Sequence, residues 1–266
     1  MSQSHLGTAL ITGASSGIGA VYADRLARRG YDLILVARNR ERLSALANRI
    51  SNEQQRSVEV LQADLHDRAQ LAQVETQLKQ DASITLLVNN AGIGTHSPLL
   101  QSDVDKMTQM IELNVTAPTR LTYAAVPGFV SRGKGAIINI ASIVAISPET
   151  LNGVYGGSKA FVLALSQSLQ HELAAQGIQV QAVLPGATAT DFWALGGLPV
   201  EHLPDQIVMR AEDLVDAALV GFDRGERITI PSLHALEHWQ AYEAARQAMA
   251  PLLSNKQVAP RYQRAE

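Results

Sequence analysis

Tyr155 and Lys159 are the residues of this chain best suited by type and spacing to move a proton. In Tyr155-Gly-Gly-Ser-Lys159 they stand four positions apart, on one face of a helix, so the ammonium can approach the phenol. A phenol with a pKa near 10 is a poor acid–base group at neutral pH, and a neighbouring cation lowers that value by stabilising the phenolate. Moving it to about 7 takes about 4 kcal/mol of differential stabilisation, which one close cation plus hydrogen bonds can supply. A tyrosine tuned in this way gives or takes a substrate proton. Ser142 follows an apolar run thirteen residues earlier, where its hydroxyl could join the phenol. Taken singly, Tyr-x-x-x-Lys also describes a solvated helix face, and Ser142 a strand-end hydroxyl.

The second chemical feature is Thr12-Gly13-Ala14-Ser15-Ser16-Gly17-Ile18-Gly19, between the first apolar run and the first segment of helical period. Glycines let the backbone turn tightly, and the free N–H groups of a helix start face an anion, as a diphosphate site requires. The spacing G-x-x-x-G-x-G differs from the common G-x-G-x-x-G fingerprint. The next apolar run ends Val36-Ala37-Arg38-Asn39-Arg40, without a carboxylate. An acidic residue there holds the ribose 2′-hydroxyl of NAD, whereas Arg38 and Arg40 suit the 2′-phosphate of NADP(H). NAD(H) is the alternative, with both arginines then solvated at a helix start.

These groups need elements to position them. Thr8–Ile11, Asp32–Val36, Val58–Leu61, Ile84–Val88, Ala136–Ile140, Val180–Leu184 and Arg227–Ile230 are short apolar runs, separated by helical periods. Leu43, Leu46 and Ile50 mark one such helix, and Leu71, Val74 and Leu78 another. A long one carries Met107, Ile111, Asn114, Val115 and Leu121, with Asn114 on the stripe three residues past Ile111. Regular βα alternation predicts an α/β fold: a doubly wound, Rossmann-type parallel sheet of about seven strands with helices on both faces. The rhythm breaks at Pro185. Residues 187–210 read as a lid insertion and residues 232–266 as a tail with one helix, on a single domain spanning 1–266.

In order along the chain, these motifs make residues 7–231 resemble the short-chain dehydrogenase/reductase family in its compact single-domain form. The resemblance rests on the glycine turn, Asp64, Asn89-Asn90-Ala91-Gly92, Asn114, Ser142, Tyr155-x-x-x-Lys159 and Pro185-Gly186-x-x-x-Thr190. It implies a catalytic set of Asn114, Ser142, Tyr155 and Lys159. Tyr155 is then the acid/base and Ser142 the partner of the substrate carbonyl. Lys159 binds the nicotinamide ribose and lowers the Tyr155 pKa, and Asn114 holds a relay water. For cofactor binding it implies Gly13, Ser15, Ser16, Gly17, Ile18 and Gly19 at the diphosphate and Asp64 at the adenine. Asn90, Ala91 and Gly92 would lie at the ribose, and Pro185, Gly186, Thr188 and Thr190 at the nicotinamide. A homo-oligomer, tetramer or dimer, also follows from the resemblance.

Composition narrows the alternatives. With 22 Lys+Arg against 25 Asp+Glu, a net charge of -3 and no long basic run, neither nucleic acid nor an anionic membrane is an expected partner. No apolar stretch approaches the ~20 residues of a membrane helix. Zero Cys excludes disulfides, thiolate catalysis and Cys-ligated zinc, and no metal is expected. Met1–Gly7 lacks a signal-peptide pattern, so the cytoplasm is the expected location. His234 and His238 read as surface residues, and His96 could line a substrate mouth. Two other functions compete with a reductase: a dinucleotide-sensing module without chemistry, and a nucleotide-sugar epimerase or dehydratase. The intact Ser142, Tyr155, Lys159 and Asn114 argue against the first, and the glycine spacing with a short C-terminal part argues against the second.

Phe192 and Trp193 follow Thr190 directly and are the expected substrate contacts, together with Ser142 and Tyr155. They serve either as part of a mobile cover or as anchors of the segment to the sheet edge or a neighbouring subunit. No Arg or Lys lies between Thr190 and Arg210, so a neutral, mainly apolar ketone, aldehyde or secondary alcohol is the expected small-molecule partner.

Overall fold

The computed structural model describes residues 6–263; residues 1–5, most of the stretch read for a signal peptide, and the last three residues of the tail lie outside them. The first compact unit ends at Ser232 and the second begins at Leu233.

In chain order the first unit runs β1 (Thr8–Thr12), α1 (Gly17–Arg28), β2 (Asp32–Ala37), α2 (Arg40–Gln54), β3 (Val58–Gln62), α3 (Arg68–Gln80) and β4 (Ile84–Asn89). It continues through α4 (Val104–Ile111), α5 (Ala117–Arg132), β5 (Gly135–Ile140), α6 (Gly153–Glu172), β6 (Ile178–Val183), β7 (Thr188–Ala189) and α7 (Phe192–Leu195). Then come β8 (Met209–Arg210), α8 (Ala211–Asp223) and β9 (Ile228–Thr229). The second unit holds α9 (Leu236–Met249).

Seven strands form one sheet in the order β3-β2-β1-β4-β5-β6-β9, and every pairing in it is parallel. Parallel strands need crossovers that cover both faces, which explains why β2 is apolar throughout in Leu33-Ile-Leu-Val36. Its side chains alternate between two cores. Leu33 and Leu35 pack with Tyr22, Leu43 and Leu214 of α1, α2 and α8, while Ile34 and Val36 pack with Leu71, Leu121 and Phe129 of α3 and α5. The doubly wound fold expected from the apolar rhythm is therefore present.

Strand order reverses between β1 and β4, and ligands of open α/β sheets bind outside the carboxyl ends of strands at such a point. Two local features bear on the site. The long helix is not uniform: a π turn at Glu112–Thr116 joins α4 to α5. Ile111 is exposed rather than on the apolar stripe; the inward stripe runs through Met107 and Met110 to Leu113 and Asn114. Within 187–210, β7 and β8 pair in parallel, an extra two-strand sheet that two-residue strands leave no periodicity to announce.

Candidate active site

A cleft of about 450 Å³ opens at the switch point. One wall is the turn between β1 and α1, through Gly13, Ser15, Ser16, Gly17 and Ile18. Gly13 and Gly17 have φ of 65° and 53°, the left-handed region that favours glycine. Gly19 does not line the cleft, but a Cβ there would lie 2.3 Å from the carbonyl of Gly13 and 2.5 Å from Nδ2 of Asn90. That amide donates to the carbonyls of Thr12 (2.9 Å) and Gly13 (3.2 Å), so Asn90 clamps the turn while lining the cleft with Ala91 and Gly92. Thr12 Oγ1 accepts from the N–H groups of Asn90 and Ala91, both at 3.0 Å, and completes the clamp.

No side chain caps the start of α1. Side chains cap α2, α3 and α6, from Asn39, Asp67 and Asn152, whereas Ser16 makes no side-chain cap and the first turn of α1 holds no acidic residue. Its first N–H groups face the cleft as a positive end for an anion.

At the far end of the cleft, Arg38, Asn39 and Arg42 line the wall where β2 passes into α2. Arg40 is not part of that lining; Arg42 is, and the sequence pattern did not single it out. Arg42 reaches across to Asp191 at 3.3 Å. Asp64 also lines this end, with Leu65 and His66. Burial opposes ionisation of Asp64, yet hydrogen bonds from the His66 N–H and ring and the charge of Arg38 outweigh it and hold the carboxyl below its ordinary value. No carboxylate stands at the end of β2 itself.

Tyr155 and Lys159 lie in the first two turns of α6, both buried. Lys159 Nζ donates to the carbonyl of Ile140 at 2.9 Å and lines the cleft. Burial lowers its pKa to about 8. Tyr155 is hydrogen-bonded to Ser142; burial pushes its pKa up to about 12, with the Ser142 bond opposing. In the empty cleft desolvation of the phenolate dominates, and the ammonium stands 5.9 Å from the ring centre. Ser142, just past β5, also donates to the carbonyl of Pro185 at 3.3 Å.

Asn114 sits in the π turn, where its amide donates to the carbonyl of Ile93 (2.8 Å) and Oγ of Ser158 (3.0 Å) and its oxygen accepts from the Ile93 N–H (3.0 Å). A buried amide with three partners braces the Gly92 loop against α6. After β6, Pro185, Gly186, Thr188 and Thr190 line the cleft. Trp193 and Phe192 follow on its rim, with Trp193 Nε1 donating to the carbonyl of Thr188 at 3.0 Å. The Phe192 ring centre is 5.8 Å from that of Tyr155, and the two rings share a small apolar pocket with Leu151, Leu198 and His96. His96 also contacts the carbonyl oxygen of Gly196 at 3.0 Å. His234 and His238 are exposed, and among the described residues no group of three His, Asp or Glu has metal-binding geometry. No helix among those residues is long and apolar enough to cross a membrane.

This arrangement can bind a dinucleotide along the cleft and exchange a proton at its inner end. Known proteins are similar to this chain in sequence and fold. The family model described as short chain dehydrogenase matches residues 7–195. A short-chain dehydrogenase from Sphingobium yanoikuyae, solved in complex with NADPH, is 52% identical with a TM-score of 0.94, over 97% of this chain and 100% of that one. The bulky-bulky ketone specific alcohol dehydrogenase from Comamonas testosteroni is 47% identical with a TM-score of 0.89, over 97% and 98%. An uncharacterized oxidoreductase of Staphylococcus epidermidis is 31% identical over 207 residues, 75% of this chain and 88% of that protein. The family match and these relatives together show that the chain belongs to the short chain dehydrogenase family of oxidoreductases.

Proposed function

We propose that the protein is an NADP(H)-dependent oxidoreductase that interconverts a neutral, mainly apolar ketone or aldehyde with its alcohol. One observation carries this reading: a buried, hydrogen-bonded Tyr155–Ser142 pair adjoins a cleft whose other end offers Arg38 and Arg42 with no carboxylate at the strand end.

The cleft fits the cofactor. The uncapped start of α1 faces a diphosphate, and a Cβ at Gly13 or Gly19 would strike the Asn90 clamp. Arg38 and Arg42 would take the 2′-phosphate, a charge that a β2-end carboxylate would repel. Asp64 would border the adenine and Thr188 and Thr190 the nicotinamide. When bound, NADP(H) supplies or accepts the hydride. Ser142 orients the substrate oxygen, and Tyr155 gives that oxygen a proton in reduction and takes one in oxidation. Positive charge brought close to the phenol opposes the burial that holds its pKa high. Lys159 Nζ and Asn114 Oδ1 both border the space in front of Gly92, 3.5 and 3.1 Å from where its Cβ would be, and a water there would connect them.

The substrate side supports an apolar ligand. Leu151, Phe192, Trp193 and Leu198 surround Tyr155, and no Arg or Lys lies between Thr190 and Arg210. The similar Comamonas enzyme is described as bulky-bulky ketone specific and the Sphingobium one as an NADPH complex, and both descriptions favour the same reading. Turnover of NADPH and NADH with matched carbonyls, followed at the nicotinamide absorbance, tests it. Apolar ketones should outperform 2-keto acids and sugar phosphates, with NADPH preferred. A preference for NADH, or for the anionic carbonyls, would overturn the reading.

A further inference from the structure

Asn152 is buried immediately before α6, and its side chain uses all of its hydrogen-bonding capacity. The oxygen accepts from the N–H groups of Val154 (2.9 Å) and Tyr155 (3.4 Å). The nitrogen donates to the carbonyl of Ser97 (2.7 Å) and to Oγ of Ser102 (3.1 Å). Two acceptances and two donations exhaust a primary amide. Capping alone does not need the nitrogen: Asp caps a helix about as well as Asn, and α3 and α4 are capped by Asp67 and Asp103. A carboxylate at 152 would set an oxygen against the Ser97 carbonyl, so the amide nitrogen is the part that residues 97–102 require.

What the amide joins is Tyr155 and the loop that lies against its ring. The Tyr155 peptide is held at both ends, its N–H by Asn152 and its carbonyl by Oγ of Ser158 (2.8 Å), which in turn accepts from Asn114. The loop 93–97 is also held at both ends. Asn114 bonds the N–H and the carbonyl of Ile93, and Asn152 bonds the carbonyl of Ser97. Between these grips lies Gly94, where a Cβ would come within 3.2 Å of Tyr155 Cε2. Two buried asparagines thus fasten one loop to one helix, and Asn152 lines neither the cleft nor the small apolar pocket.

We propose that Asn152 is a positioning residue for the reaction at Tyr155: it sets the gap between that ring and the loop 93–97, and through the gap the size of carbonyl substituent held in register. This rests on the acid/base reading of Tyr155. Without the amide the loop keeps its Ile93 grip and loses its Ser97 grip, so Gly94 is free to draw back from the ring. A small ketone then sits loosely before Tyr155, and misplacing reacting atoms by about 1 Å costs on the order of a hundredfold. A bulky ketone fills the widened gap itself and loses less.

Asn152→Ser keeps an oxygen for the cap but cannot reach the loop, so it separates the two roles. With 2-butanone as the small ketone and benzophenone as the bulky one, the bulky-to-small ratio of kcat/KM should rise at least fivefold. The change should come from kcat on the small ketone, while the NADPH dissociation constant stays within twofold. Hydrogen exchange should quicken across residues 93–102 and hold its wild-type rate across 153–159. A smaller rise in the ratio, equal losses on both ketones, NADPH affinity falling in step, or unchanged exchange in 93–102 would each overturn the proposal. If Asn152→Ser does not fold, Ser102→Ala decides, since it leaves the cap intact and removes one acceptor of the amide. It should move the same ratio the same way at least twofold, and no movement overturns the proposal. Tyr155→Phe, run alongside, separates the two claims. Retained turnover there fells the acid/base reading and the proposal with it; an inactive Tyr155→Phe beside a wild-type-like Asn152→Ser fells the proposal alone.

Discussion

Lys159 stands one helical turn from Tyr155, yet its hydrogen bond goes to the Ile140 carbonyl of the neighbouring strand at 2.9 Å, and its ammonium is 5.9 Å from the Tyr155 ring centre. The lysine is thereby fixed to the sheet and fully buried, with its pKa lowered from 10.5 to about 8 by desolvation. A depressed lysine destabilises the fold wherever the unfolded chain holds the proton more tightly. Stability of the cofactor-free protein should therefore rise with pH from about 8 towards 10, by on the order of 3 kcal/mol over the whole shift. Tyr155, raised to about 12, acts in the opposite sense only above pH 10, so the window is clear. Denaturant unfolding across this range should show the slope in wild type and not in Lys159→Met. Equal slopes would show that the ammonium is not the buried charge responsible.

Tyr155 should be silent as a phenolate until high pH when the cleft is empty. The ultraviolet difference between wild type and Tyr155→Phe should titrate near 12, and oxidised cofactor should shift it downward. In kinetics, Tyr155→Phe should reduce turnover by more than tenfold while NADPH affinity, read by fluorescence, stays within a few-fold. A variant that keeps a tenth of wild-type turnover would remove Tyr155 from the acid/base role.

The glycine turn separates space from conformation. Gly19→Ala would put a methyl 2.3 Å from the Gly13 carbonyl and 2.5 Å from the Asn90 amide, both held by the clamp. Overpacking of this kind costs about 1–3 kcal/mol, and NADPH affinity should fall at least tenfold. Gly157, in α6 and exposed, has open space where a Cβ would be. Gly157→Ala should instead stabilise the protein by about 0.5–1 kcal/mol. Thermal melts of both variants check the pair, and equal melting shifts would sink the argument.

The arginines divide the same way. Arg38→Ala and Arg42→Ala should each weaken NADPH about ten- to hundredfold relative to NADH, the loss of one charge-assisted contact, while Arg40→Ala changes the ratio less than twofold. Measured kcat/KM for both cofactors tests it, and a dominant Arg40 effect would show that the cleft wall has been misassigned.

What the sequence disclosed and what it hid have physical causes. Bare apolar runs such as Leu33-Ile-Leu-Val36 announce strands covered on both faces, so the sheet and its seven strands were legible. Arg42 was not, because which arginine of Arg38-Asn39-Arg40-Glu-Arg42 faces the cleft is set by the cap, Asn39 Oδ1 accepting from the Arg42 N–H at 2.9 Å, and not by spacing. Asn114 was found for an incomplete reason. Its face is fixed by a π turn, and Ile111, which a uniform helix would place beside it, is exposed. The desolvation that raises the Tyr155 pKa in the empty cleft was not legible either, because a motif shows the cation but not the burial around the phenol.

The Phe192 ring lies 5.8 Å from that of Tyr155 and rests on a loop position that has no side chain. A Cβ on Gly94 would meet Phe192 Cζ at 2.4 Å and Tyr155 Cε2 at 3.2 Å, so Gly94 is the floor against which the Phe192 ring rests. The first of these is the far end of a side chain that can swing, so Gly94→Ala should displace the ring rather than unfold the loop. The displaced ring should raise KM for bulky ketones at least fivefold while the NADPH dissociation constant, read at the other end of the cleft, stays within twofold. Phe192→Ala removes the ring from the same place and should enlarge the pocket, lowering discrimination against large substituents. Combining the two substitutions should return KM towards that of Phe192→Ala alone, because the methyl then has nothing to push. Additive losses in the double variant would mean that Gly94 and Phe192 act independently, and the ring would not be the gate.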